Sequence, residues 1–167
     1  MITREELIDS MLEEIRLCKF LGAKVPGDRL DWRPTPNQRS VLELLRYITR
    51  AGEGFTTALV NGNRDHVDRL VKRADETTLA NFDRVMDEQA ANLKAMIGGL
   101  SNERLTNERK SMPWGGPDMS LAAAIMNSGV KFLTAYRMQL FLYLKQLGHS
   151  ELGTAHCWAG REPAKQA

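Results

Sequence analysis

Apolar side chains return every three or four positions along almost the whole chain, and no convincing run alternates with a period of two. That rhythm belongs to amphipathic α-helices and leaves no half-buried strand from which to build a sheet. The first segment, residues 3–22, carries Leu7, Ile8, Met11, Leu12, Ile15 and Cys18 on one side. Thr3 and Glu6 supply a capping box at its start, and Gly22 followed by Pro26-Gly27 stops it. Pro26, Pro34 and Pro36 forbid a continuous helix through "VPGDRLDWRPTPNQRS". A second helix opens at Ser40, with Glu43 completing another capping box, and presents Val41, Leu44, Leu45, Ile48, Phe55 and Leu59. Tyr47 falls at the edge of that stripe. Gly52 and Gly54 each weaken the helix by about 1 kcal/mol relative to Ala, so the pair implies a close approach of another element, or a kink.

The polar run "NGNRDHVDRLVKRADETT" reads as a loop with a short helical turn. A third helix is expected over residues 78–97, with Leu79, Phe82, Val85, Met86, Leu93 and Met96-Ile97 as its stripe and Gly98-Gly99 at a left-handed C-cap. "SNERLTNERKSMPWGGPDMS" again reads as loop, built around Trp114. Ser120 is placed to cap the longest helix, residues 121–147, which Gly148 ends. The fold class is therefore all-α: a four-helix bundle with long loops that cross it. One domain is expected over residues 1–150. Residues 151–167 form a tail that packs back on the bundle, with Trp158 as its anchor and a mobile end.

Size and charge set the function classes. A chain of 167 residues, 43% hydrophobic and 26% charged, buries a full core without staples. Its 23 Lys+Arg against 21 Asp+Glu leave a net charge of +2, with no footprint for nucleic acid or a membrane surface. Two distant cysteines, Cys18 and Cys157, make no disulfide framework, and a reducing cytoplasm is the simplest setting. The N-terminal run "MITREELIDSMLEE" is charged throughout and lacks the apolar core of a signal peptide.

Three stretches together resemble the DinB-like family of four-helix bundles, which includes the YfiT-type metal-dependent hydrolases and thiol-dependent transferases. "LDWRPTPNQRSVLELLRYI" resembles the segment in which a tryptophan and prolines precede a Ser-capped helix with one metal-binding histidine. "AYRMQLFLYLKQLG" resembles the family's last helix, with two more histidines four residues apart, and "ELGTAHCWAG" resembles tails of some branches. The resemblance implies a DinB/YfiT-like metalloenzyme fold and a homodimer. Carried over position by position, the histidine of the second helix falls on Tyr47, and the pair on the last helix falls on Phe132 and Tyr136. Arg137 and Gln139 match the family's Arg and Gln, and Met138 replaces a small residue. No matched ligand position holds a histidine. Phe132 has no lone pair, and tyrosine phenols titrate near pH 10, so no metal cofactor is expected there.

Two readings of those rings compete. In one they simply fill the vacated cavity. In the other, Tyr47, Phe132 and Tyr136 line a pocket whose phenols donate to a carboxylate or carbonyl, with Trp32, Trp114 and Arg137 as further lining. Elsewhere, His149, His156 and Cys157, with Glu151 nearby, are the candidates for a relocated metal site. Cys157 beside His156 is also the candidate for an exposed, activated thiol. Cys18 is expected in the core, His66 in solvent, and Asp83, Asp87 and Glu88 on a solvated face. The leading functional reading is a small-ligand-binding or interaction protein that lacks the family metal site. The alternative is a thiol-dependent transferase or hydrolase using the relocated ligands, so the sequence leaves open whether the chain is an enzyme.

Overall fold

The computed structural model describes residues 2–112 and 114–163, and it is helical almost throughout. Its elements are α1 (Arg4–Gly22), α2 (Val41–Asn61), α3 (Val67–Asp75), α4 (Phe82–Gly98), α5 (Asn102–Asn107), a short antiparallel pair β1 (Arg109–Lys110) and β2 (Met119–Ser120), α6 (Leu121–Ile125), α7 (Lys131–Gln146) and α8 (Thr154–Ala159). A single π-turn, Met126–Val130, joins α6 to α7 without a break, so the two make one long rod. The four long helices are α1, α2, α4 and this rod.

Both capping boxes form. Thr3 Oγ1 accepts from the Glu6 N–H at 3.1 Å while the Glu6 carboxylate accepts from the Thr3 N–H at 2.8 Å. Ser40 and Glu43 repeat the exchange at 3.2 and 2.6 Å. Helix α1 packs against α4 and α7, and α2 does the same, whereas α1 and α2 scarcely touch. The first two helices therefore face each other across a diagonal, and the proline-rich connection between them crosses the end of the bundle. Leu7, Met11, Leu44, Ile48, Met86, Leu93, Leu133 and Leu140 fill the centre with no exposed surface.

Small residues set the spacing of the rod against α2. A Cβ added at Gly52 would lie 2.8 Å from Leu133 Cδ1, and one added at Gly129 would lie 2.5 Å from both Thr56 Oγ1 and Met11 Cε. Gly52 thus marks a close approach, one of the two outcomes that the Gly52 and Gly54 pair left open. Gly54 meets only Leu70, at an ordinary 3.6 Å. Gly148 ends the rod with φ 107°, a conformation that favours glycine, whereas Gly99 after α4 stays right-handed at φ −77°.

Several short elements go beyond the sequence reading. The run expected as a loop with a short helical turn before α4 holds the nine-residue α3, pinned by buried Leu70 and Ala74. The Trp114 loop is flanked by α5 and the β pair, and α4 starts at Phe82 rather than residue 78. In the tail Leu152, His156 and Cys157 are buried, whereas Trp158, the expected anchor, is 58% exposed. The expected mobile end, residues 164–167, lies outside the described residues.

The tail is held by buried charge. Arg137 on α7 has no exposed surface; its Nε donates to Glu14 Oε2 at 2.7 Å and its Nη1 donates to the Cys157 carbonyl. The His156 ring accepts from the Gly153 N–H at 3.0 Å through Nδ1, which places the ring proton on Nε2, 2.8 Å from Glu162. Arg137→Leu is expected to lower the unfolding free energy by about 3–5 kcal/mol, because Glu14 keeps a largely buried charge without its partner. Adding Glu14→Leu should recover part of that loss, and urea denaturation of the three variants measures both effects. Gly129→Ala is expected to cost about 1–3 kcal/mol through overpacking against Met11 and Thr56, read from the same denaturation curves.

Candidate functional site

The stagger of α2 against the rod brings a set of rings to one place. Tyr47 on α2 meets Tyr136 on α7 edge to face, with centroids 4.6 Å apart and planes at 61°. Phe132, one turn before Tyr136, stacks on it at 6.1 Å and on Phe55 of α2 at 4.2 Å. Trp114 closes the row edge-on, 5.8 Å from Phe132 and 6.3 Å from Phe55. Such offset and perpendicular pairs are the favoured aromatic geometries. All of these rings keep some exposure, and Trp114 keeps 58% of its surface. They form a wall rather than a sealed plug.

Two rings of the wall, Tyr47 and Phe55, border a cleft of about 440 Å³ between α2, α3, β1 and the π-turn. Tyr47 and Phe55 line it on one side, with Val67 and Leu70 of α3 opposite and Ser128 of the π-turn below. π-turns are frequent at functional sites because they turn side chains out of the regular helical ladder. Cationic groups surround the same place. The Arg39 guanidinium lies 4.0 Å from the Tyr47 ring centroid and 5.6 Å from that of Tyr136, and Arg50 lies 4.6 Å from Tyr47. Arg50, Arg64 and Lys110 line the cleft. Burial, reinforced by the neighbouring Tyr136 phenol, pushes the Tyr47 phenol above its ordinary value in spite of Arg50 and Arg39.

Next to this region α2 holds a buried carboxylate that periodicity alone does not reveal. Glu53 is paired with Arg73 at 2.7 Å and with Arg69 at 3.2 Å, and its Oε1 accepts from Asn92 at 3.1 Å. Gln89 on α4 accepts from the Glu53 N–H at 3.1 Å. The cluster ties α3 and α4 to α2 and so fixes one side of the cleft.

The other candidates lie apart. Trp32 packs edge-on against Tyr143 at 5.3 Å, whose hydroxyl donates to the Arg39 carbonyl at 2.9 Å, so it belongs to the loop packing before α2. Arg137 does not line the ring wall: one residue on from Tyr136, it turns to Glu14 and the tail. His149 pairs with Glu151 at 2.9 Å, and His156 is engaged by Gly153 and Glu162. Among the described residues no group of three or more His, Cys, Asp or Glu side chains comes together to hold a metal ion, so the relocated site at His149, His156 and Cys157 does not assemble. Cys157 is buried rather than exposed, and burial pushes its thiol up, with Arg137 opposing the shift. Burial likewise pushes the Cys18 thiol upward. Neither thiol has the depressed pKa of a nucleophile. His66 is buried, not solvated, with Nε2 2.9 Å from the Gly54 carbonyl.

At the positions matched to the family's ligands, the donor set does not fit a divalent metal. Phe132 offers no lone pair, the Tyr47 phenol is held protonated, and two guanidinium groups already stand over its ring.

The sequence matches no protein-family model and no curated protein. Among solved structures it is similar to the DinB-like protein YjoA of Bacillus subtilis, at 17% identity and a TM-score of 0.65, over 89% of this chain and 96% of that one. The chain therefore has the DinB-like all-α fold, as the three sequence stretches implied. Among the described residues no helix is long and apolar enough to cross a membrane.

Arg39, Arg50, Arg64 and Phe55 join the site without having been singled out for it. Arg50 sits three residues after Tyr47 on α2, which places both on one helical face, so its part was readable. Arg39 precedes the N-cap, and only the folded loop carries it over the ring.

The raised Tyr47 pKa has a measurable sign. The native state holds that phenolic proton more tightly than the unfolded chain, so the contribution to stability is fully present below about pH 10 and is lost as pH rises through the higher native value. Wild type should therefore lose stability above about pH 10 more steeply than Tyr47→Phe, and denaturation at pH 8 and at pH 11 compares the two. Equal losses would remove Tyr47 from the account.

Proposed function

We propose that this chain is a small-ligand-binding protein on a DinB-like fold, and that Tyr47, Phe132 and Tyr136 form the heart of its pocket. One observation carries the reading: the rings at the three matched positions meet and stay partly exposed, and Tyr47 among them lines a cleft of about 440 Å³ together with Phe55, on which Phe132 stacks. That volume lies in the usual range of small-molecule sites, about 300–1,000 Å³. The phenols supply hydrogen-bond donors, and the stacked Phe55 and Phe132 supply a flat apolar face.

In this reading binding, rather than metal-assisted chemistry, is the function, since the matched positions lack imidazoles and both thiols are buried. The protein acts in the cytoplasm as a homodimer, without a nucleic-acid or membrane partner. Those parts rest on the family resemblance and on the near-balanced charge of +2.

A neutral aryl probe, 1-naphthalenemethanol, tests the pocket by NMR titration of the isotopically labelled protein. Saturable shifts at the amides of Tyr47, Phe55, Phe132 and Tyr136 are expected. Tyr136→Phe should weaken the probe several-fold while changing stability by less than about 1 kcal/mol, the range of a single lost hydrogen bond. Shifts scattered over the surface, or none at millimolar probe, would refute the pocket.

A further inference from the structure

We infer that the ligand of this cleft is a small organic anion: an aryl or compact apolar body carrying a carboxylate or phosphate. The inference rests on the ligand-binding reading above and adds the charge of what is bound. Three cationic side chains, Arg50, Arg64 and Lys110, line the cleft, and no Asp or Glu is among the residues that line it. Arg39 adds a fourth positive charge over the rings at its edge. Lys110 is engaged by Glu108 at 2.8 Å, which neutralises much of its charge. For Arg39, Arg50 and Arg64 there is no carboxylate within ion-pair distance among the described residues.

Among the described residues, Arg4, Arg16, Arg33, Arg69, Arg73, Arg84, Arg104 and Arg137 are each in a salt bridge, and Arg39, Arg50 and Arg64 are not. Two guanidinium planes over one phenol are held by cation–π attraction, which orients them yet consumes none of their N–H donors. Those donors match the fork geometry of a carboxylate or phosphate. The neutral polar groups Ser111, Asn63 and Ser128 complete a lining able to hydrogen-bond an oxyanion. The apolar part of the lining, Ala51, Phe55, Ala58, Leu59, Val67 and Leu70, sets the character of the ligand's body. A cation has no counter-charge in this cleft, and a purely apolar ligand would leave the arginines without a partner.

The experiment compares three probes on the full chain by NMR titration: 1-naphthoate, 1-naphthyl phosphate and the neutral 1-naphthalenemethanol. At least one anion is expected to bind roughly tenfold or more tightly than the alcohol, a difference of about 1.4 kcal/mol. The tighter of the two anions identifies the headgroup. Arg50→Gln and Arg64→Gln should each reduce the anion's affinity several-fold while leaving that of the alcohol unchanged. Thermal melts check the fold, and Arg64 is exposed, so its variant tests the inference even if the half-buried Arg50 proves structural. Equal affinities for alcohol and anions overturn the inference and leave the pocket standing. An anion preference that survives both substitutions overturns it as well. Binding of none of the three refutes both readings.

Discussion

Everything at the ring wall depends on how closely α2 and the last long rod approach one another. Gly52 and Gly129 make that approach possible, because a methyl group at either position would run into Leu133, or into Met11 and Thr56. Backbone proximity there sets the stagger of the two helices. The stagger in turn brings Tyr47 within 4.6 Å of Tyr136 and lets Phe55 lie flat on Phe132. The π-turn sits at the same contact. Its extra backbone residue re-phases the rod, so α6 offers Leu121, Ala122, Ala124 and Ile125 to the core while Phe132 and Tyr136 on α7 remain partly exposed.

Buried charges then fix what surrounds this contact. A buried ion pair adds little net stability compared with a well-packed apolar pair, but stranding one of its partners is expensive. Glu53 is buried on α2 beside α3, and an α3 displaced from its groove would take Arg69 and Arg73 away from that carboxylate. Arg137 acts in the same way on the tail, since only a seated α8 offers it the Cys157 carbonyl. These two centres discriminate against neighbouring arrangements, and the groove between α2 and α3 owes its shape to the first of them.

The long elements were legible because their signals are local. Capping boxes at Thr3 and Ser40, stripes of apolar residues and the stop at Gly148 are all written in consecutive residues. The meeting of Tyr47, Phe132 and Tyr136 was reachable through the family resemblance together with the one-turn spacing on the rod. What escaped depends on tertiary burial. Helix α3 does carry an amphipathic signal, with Val67, Leu70, Val71 and Ala74 on one face, but it is short and set among charged residues, so its full length shows only once Leu70 and Ala74 are buried. His66 looked solvated amid charges, yet the Gly54 carbonyl captures it. Trp158 is the largest apolar residue of the tail, but the neighbouring positions His156 and Cys157 face inward and Trp158 lies outside them, over Arg137. A step of one residue turns a helix by about 100°, which is also why Arg137 left the pocket while Tyr136 stayed.

On the proposed reading, rings where the family resemblance places imidazoles change the kind of chemistry this place can perform, not only whether a metal binds. A metal ion supplies concentrated positive charge together with a vacant coordination position, and it is the second that activates water or a thiol. Arginines held over Tyr47 supply positive charge and directed N–H donors but no vacant position. Such groups attract and orient an oxyanion but do not themselves activate a water or a thiol. A guanidinium also stays charged at every pH the fold survives, whereas the raised Tyr47 phenol stays neutral, so neither is poised to move a proton near neutrality. On the proposed reading, the same scaffold position therefore serves recognition, with the arginines supplying charge and direction to the oxyanion of a bound ligand.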